Sequence, residues 1–214
     1  MKRSTVAVFL MAFSVGNVSV AQQVEPATPI SVGIVLDTSG SMREKMDLTR
    51  QVLSELLKDG NLPDEVALIE ASDEPLVLTE FGRDADRLLA YGRPAETRGG
   101  SALMDGVHLG VQVTSLGRNE RKVLLLISDG GDNGSSYTAL EVENAIRGAG
   151  IRMLVVGVGT PIVEENEALR ELAGRASLGQ MAENVGGRHF DLQYSLDVSR
   201  IVAELGAAMR ASAL

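Results

Sequence analysis

The sequence contains no cysteine. No disulfide can brace the fold, which must stand on its hydrophobic core, and no cysteine is present to carry the lipid of a bacterial lipoprotein. Aromatic residues make up only 3% of the chain and basic residues are scattered, so no stacking platform for nucleic acid is visible. Positive charge is in deficit: 20 Lys and Arg stand against 29 Asp and Glu, a formal net charge of −9. An acidic protein of this size is a poor candidate for nucleic acid or anionic membranes. The two histidines, His108 and His189, are far apart and have no partner acids at telling spacing, so both read as structural or exposed. The segment VVGVGTP (155–161) lacks both GxGxxG and the P-loop lysine-serine pattern, so no nucleotide cofactor is expected. No internal repeat and no low-complexity tract interrupts the chain.

What is present suits one sizeable α/β domain, the 214 residues being too few for two. The N-terminus reads as a secretory signal peptide. Lys2 and Arg3 form a basic start, TVAVFLMAFSV is a short apolar stretch, and Ser19-Val20-Ala21 supplies small residues for cleavage after Ala21. The apolar run is well short of the roughly 20 residues a membrane span needs. Residues 1–21 are thus expected to be a signal peptide, 22–29 a flexible lead-in and 30–214 the domain, exported to the periplasm or beyond it.

Within the domain, apolar runs alternate with amphipathic segments. Strands are expected over 31–36, 65–71, 75–81, 122–127, 152–158 and 188–192. The short turn between 65–71 and 75–81 predicts a hairpin, hence one antiparallel strand. Helices are expected over 43–58, 83–90, 101–115, from Thr138 to near Gly148, over 164–183 with a break near 177–179, and over 195–211. Thr138 with Glu141 predicts a capping box. Strands separated by helices give an open, doubly wound α/β fold: a mostly parallel, Rossmann-like sheet with one antiparallel strand and helices on both faces.

In such sheets ligands bind beyond the carboxyl ends of the strands. Asp37 ends the first strand in GIVLDTSGSMR, and Ser39 and Ser41 follow at alternate positions. That pattern fits a polar turn before a helix, and equally three oxygen ligands turned to one point. Asp129 follows KVLLLIS, and Ser101 enters a helix from the Gly99-Gly100 loop. Together these are two carboxylates and three hydroxyls, with no sulfur or imidazole. Such a set favours Mg²⁺ or Mn²⁺, with Ca²⁺ a further candidate, over zinc. The neutral hydroxyls would leave positive charge on the metal for an incoming anion. Asp105 reads as a neighbour of the site or a first-turn helix acid, and Asp132 as a turn residue.

The segments DTSGSM (37–42), GGSALMD (99–105) and LISDG (126–130), in this order and spacing, resemble the von Willebrand factor A-type domain, and in particular its exported bacterial members. The resemblance runs from about Ile30 to the C-terminus. It implies a metal-ion-dependent adhesion site with Asp37, Ser39, Ser41, Ser101 and Asp129 as ligands. Ser101 stands where the family usually has threonine; it keeps the hydroxyl and loses the stiffness of a β-branched side chain. The resemblance further implies capture of an acidic group of a partner protein, and a helix after the last core strand that shifts between low- and high-affinity states. A structural or assembly subunit of an envelope complex, with a stabilising metal site, is the alternative. A metal-assisted hydrolase is less favoured, because no general base or nucleophile–histidine pair is apparent beyond the ligands. Partner specificity is expected in the loops 93–100 and 130–137.

Overall fold

The computed structural model describes residues 28–58, 64–91, 99–160 and 165–211, and of residues 91 and 165–168 the backbone alone. The expected signal peptide, most of the lead-in and residues 93–98 of the first specificity loop lie outside the described residues.

Six strands form one sheet: β1 (Ile30–Asp37), β2 (Glu65–Ala71), β3 (Leu76–Gly82), β4 (Arg121–Ser128), β5 (Arg152–Val158) and β6 (Arg188–Leu192). Their order is β3-β2-β1-β4-β5-β6. All pairings are parallel except that of β2 with β3, which is antiparallel and carries register shifts. Among the described residues six α-helices cover the two faces: α1 (Met46–Leu56), α2 (Ala85–Tyr91), α3 (Leu103–Ser115), α4 (Ala139–Ala149), α5 (Glu165–Asn184) and α6 (Val198–Arg210). The order agrees with the doubly wound α/β reading, and the antiparallel strand sits at the edge.

The alternation of side chains along buried strands builds two cores. Val32, Ile34 and Leu36 of β1, with Val123, Leu125 and Ile127 of β4 and Leu154, Val156 and Val158 of β5, face α1 and α6. Their neighbours Val35, Leu124, Leu126, Met153 and Val155 face α3, α4 and α5. Central strands buried on both faces need apolar residues at every position, which is why ISVGIVL and KVLLLI read as continuous runs.

Three helix expectations change. The helix expected from residue 43 begins as a 3₁₀ turn, Gly40–Lys45, and only then becomes α1. Its first bond, from Met42 N to the Ser39 carbonyl, spans three residues and tightens the chain where Ser39 and Ser41 must stay at the strand end. Helix α3 starts at Leu103 rather than Ser101, because the amides of Ser101 and Ala102 are bonded to Asn133 Oδ1 and the Ser72 carbonyl. Helix α5 runs unbroken through 177–179, since Leu178, Met181 and Ala182 bury one face against the sheet. The capping box of Thr138 and Glu141 forms as expected.

The end of the sheet opposite the strand carboxyl ends is fastened by Glu65, which is 1% exposed. Its Oε1 accepts from Ser31 Oγ at 2.6 Å and Arg118 N at 2.6 Å, and its Oε2 from Arg118 Nε at 2.8 Å. Burial pushes this carboxyl up, but the donors outweigh it and hold it below the ordinary 4.5. A lowered carboxyl contributes stability above its ordinary range and loses it as pH falls through the lowered value. Glu65→Gln is therefore expected to cost about 1–3 kcal/mol in urea unfolding at pH 7, with the difference from wild type shrinking by pH 3. An equal cost at both pH values would show that the charge is not what matters.

Candidate metal centre

The strand order reverses between β1 and β4, so a crevice opens at their carboxyl ends. Asp37 closes β1 and Ser128-Asp129 close β4 and begin its loop. Helix α3 enters from the Gly99-Gly100-Ser101 loop. A cavity of about 510 Å³ at this edge is lined by Ser39, Ser41, Ser101 and Asp129, with Lys45 and Glu171 beside them.

Asp37 is fully buried. Its Oδ1 accepts from Ser39 N at 3.0 Å and its Oδ2 from Ser128 Oγ at 2.5 Å. Burial pushes the carboxyl up to about 6, against the pull of those hydrogen bonds, and the nearby Asp129 charge adds to the rise. The hydroxyls of Ser39 and Ser41 lie 3.2 Å apart, as spacing by two in a bent loop requires. Asp129, also buried, is oriented from both sides: Gly131 N donates to Oδ1 at 3.1 Å and Lys45 Nζ to Oδ2 at 2.8 Å.

Ser101 is held by its backbone. Its N donates to Asn133 Oδ1, and its carbonyl accepts from Asn133 N and Gly134 N, each at 2.9 Å. Its hydroxyl, by contrast, is buried with no hydrogen-bond partner among the described residues. A buried unpaired hydroxyl costs about 1–3 kcal/mol. Placed beside Ser39, Ser41 and Asp129, it suits a cation that would take its lone pair. Among the described residues no three His, Cys, Asp or Glu side chains gather for a metal. The donor set is hydroxyl-rich with two carboxylates, the chemistry of a hard cation that keeps water or a foreign anion in its shell.

The other singled-out residues have different work. Asp105 Oδ1 accepts from Ser136 N and Tyr137 N, each at 2.8 Å, and so fastens the loop after β4 to α3. Asp132 Oδ1 accepts from Leu103 N at 3.3 Å and Ser135 Oγ at 2.7 Å, serving the start of α3 from across the loop. His108 stacks on Tyr137 at 3.9 Å between ring centroids. Burial lowers the pKa of His189, and neither histidine lines the cavity.

Sequence reasoning missed four residues. Ser128 bonds Asp37; its position next to Asp129 was the available signal. Asp73 accepts from Gly100 N and fixes the loop that carries Ser101. Lys45 and Glu171, both buried, pair at 2.5 Å between Nζ and Oε1. Lys45 sits eight residues after Asp37 on a helix face, where a lysine reads as solvated surface, and Glu171 arrives from a distant helix.

A model of the von Willebrand factor type A domain matches residues 32–131. The inter-alpha-trypsin inhibitor heavy chain H4 of the pig, Sus scrofa, is 27% identical over 143 residues, which cover 60% of this chain and only 16% of that protein. Among solved structures, a von Willebrand factor type A protein from Catenulispora acidiphila superposes with a TM-score of 0.68 at 15% identity, over 86% of this chain and 43% of that one. The pilus adhesin SpaC of Lactobacillus rhamnosus GG gives 0.64 at 14% identity, over 85% and 30%. Proximal thread matrix protein 1 of the mussel byssus, with a zinc-occupied MIDAS motif, gives 0.61 at 17% identity, over 84% and 45%. Residues 32–131 thus match the von Willebrand factor type A domain, and the chain as a whole shares the doubly wound fold of the solved structures it is similar to.

Proposed function

We propose that this protein is an exported binding module that captures an acidic group of a partner protein through a divalent cation. Asp37, Ser39, Ser41, Ser101 and Asp129 hold the cation, Mg²⁺ in the first place, with Mn²⁺ or Ca²⁺ as substitutes. The observation that carries this reading is the buried, partnerless Ser101 hydroxyl beside the paired serines and Asp129 on one cavity wall. A bound cation supplies a Lewis-acid site to which a carboxylate binds in place of water. The zinc-occupied MIDAS of the mussel protein and the fold shared with a pilus adhesin support it. Binding is favoured over hydrolysis because neither histidine lines the cavity and no nucleophile–base pair stands there among the described residues.

The test is capture of partners from envelope extract with wild type and Asp37→Ala side by side, in Mg²⁺ and in EDTA. One partner is expected in wild type with Mg²⁺ and in none of the other three lanes. Equal recovery in all four would reject metal-mediated capture. A purely structural metal is separated by Ser39→Ala, which would then lower the melting temperature and leave partner recovery intact.

A further inference from the structure

Lys45 is the least expected group at the site. It is 3% exposed, and its ammonium touches three oxygens: Asp129 Oδ2 at 2.8 Å, Glu171 Oε1 at 2.5 Å and the Ser41 carbonyl at 3.0 Å. Two of these belong to residues of the proposed ligand set. Three oxygen acceptors, two of them carboxylates, match the three N–H donors of a charged ammonium. Glu171 does not depend on Lys45 alone. It also accepts from Thr160 N at 3.2 Å and pairs with Arg175 Nη1 at 3.5 Å.

The buried charges can be counted. Asp37, Asp129 and Glu171 are three carboxylates, each at most 9% exposed; Lys45 and Arg175 are two cations, at 3% and 8%, and Arg175 also pairs with the half-exposed Asp191 at 2.9 Å. A divalent cation added at Asp37 and Asp129 would stand beside the Lys45 ammonium, and like charges at short range in a buried site repel strongly. Lys45 is also bonded to one of the two carboxylates such a cation needs.

We propose that the Lys45 ammonium is the resident counter-ion of Asp129 and competes with the divalent cation for that carboxylate, so that Lys45 sets the metal affinity of the site. Glu171 and the Ser41 carbonyl give the ammonium a place to remain when it releases Asp129, without movement of α1. This inference rests on the metal-binding reading above.

The test is Mn²⁺ binding, followed by the loss of the free-ion paramagnetic resonance signal and by calorimetry, in the full chain. Lys45→Met removes the competing charge while keeping the length of the side chain, and is expected to bind Mn²⁺ at least tenfold more tightly. Lys45→Gln, a second neutral variant, is expected to move the same way and serves if the methionine variant does not fold. Glu171→Gln leaves the ammonium to Asp129 and is expected to weaken binding severalfold. In the double variant Lys45→Met/Glu171→Gln that weakening should shrink, because its route through Lys45 is gone. Unchanged or weaker Mn²⁺ binding in the neutral Lys45 variants, with wild type still binding, overturns the competition and spares the metal site. No Mn²⁺ binding by wild type or variants overturns both.

Discussion

Asp37→Asn is expected to abolish divalent-cation binding while making the metal-free protein more stable. The two effects have one cause. Asp37 is fully buried, and burial raises its carboxyl from 3.8 to about 6. A carboxyl raised in the folded state is ionised more easily in the unfolded chain, so stability is present at low pH and is lost as pH rises from about 4 through about 6. At pH 7 the cost is roughly 3 kcal/mol by linkage. The amide is neutral and of the same shape. It can still accept from Ser39 N and can donate to Ser128 Oγ, so the side chain keeps both partners, though the Ser128 hydroxyl loses its present acceptor. In EDTA at pH 7 the variant should unfold about 1–3 kcal/mol harder than wild type, or roughly 3–10 °C higher in melting temperature, and this gain should fade by pH 4.5. In saturating Mg²⁺ the order should reverse. Wild type gains about 4.1 kcal/mol at a thousandfold excess over Kd, more than the variant's advantage in EDTA, and the variant, having lost a charged ligand, gains nothing. Melting curves in EDTA and Mg²⁺ at the two pH values check all of this. A variant less stable than wild type in EDTA would mean that Asp37 is satisfied without a cation.

That buried acid was visible in the sequence because strands and their ends write local patterns. An apolar run ending in Asp37, and another ending in Ser128-Asp129, fix which residues reach the carboxyl edge once a parallel sheet is inferred. The alternation of Ser39 and Ser41 is equally local. What could not be read depends on residues far apart in sequence. Glu171 meets Lys45 across 126 positions only because α5 packs beside the loop of Asp129, and no period in GSMREKM announces that Lys45 turns inward. The helix starts were misread for a related reason. Ser101 and Ala102 carry a helical pattern, but distant acceptors, Asn133 and Ser72, claim their amides. The break expected near 177–179 failed in the opposite sense: Ser177 and Gly179 are weak helix formers, yet burial of Leu178 and Met181 overrides propensity.

The second large effect follows from how closely α5 approaches the Asp129 loop. Gly130, directly after Asp129, has φ +89°, a backbone region that a side chain strains. A Cβ there would also run into the backbone of Gly174, inside α5. The contact is reciprocal, since a Cβ on Gly174 would meet the Asp129 carbonyl oxygen at 2.7 Å and the Gly130 backbone at 3.1 Å. None of these atoms is a flexible side-chain tip that can move aside. Propensity alone says that Gly174→Ala, in a helix interior, should stabilise by about 1 kcal/mol. Contact with backbone reverses the sign: the substitution is expected to destabilise by about 1–2 kcal/mol, and Gly130→Ala, which adds dihedral strain, by about 2–4 kcal/mol. Both push the Asp129 loop away from Glu171, and so should weaken Mn²⁺ binding along with stability. Gly148→Ala is the control, because a Cβ at that helical position meets nothing within 4 Å and should be neutral or stabilising. Urea unfolding of the three variants reads the order directly. If Gly174→Ala proves as harmless as Gly148→Ala, α5 is free to recede from the Asp129 loop, and the tight seat of that helix is not what holds the loop in place.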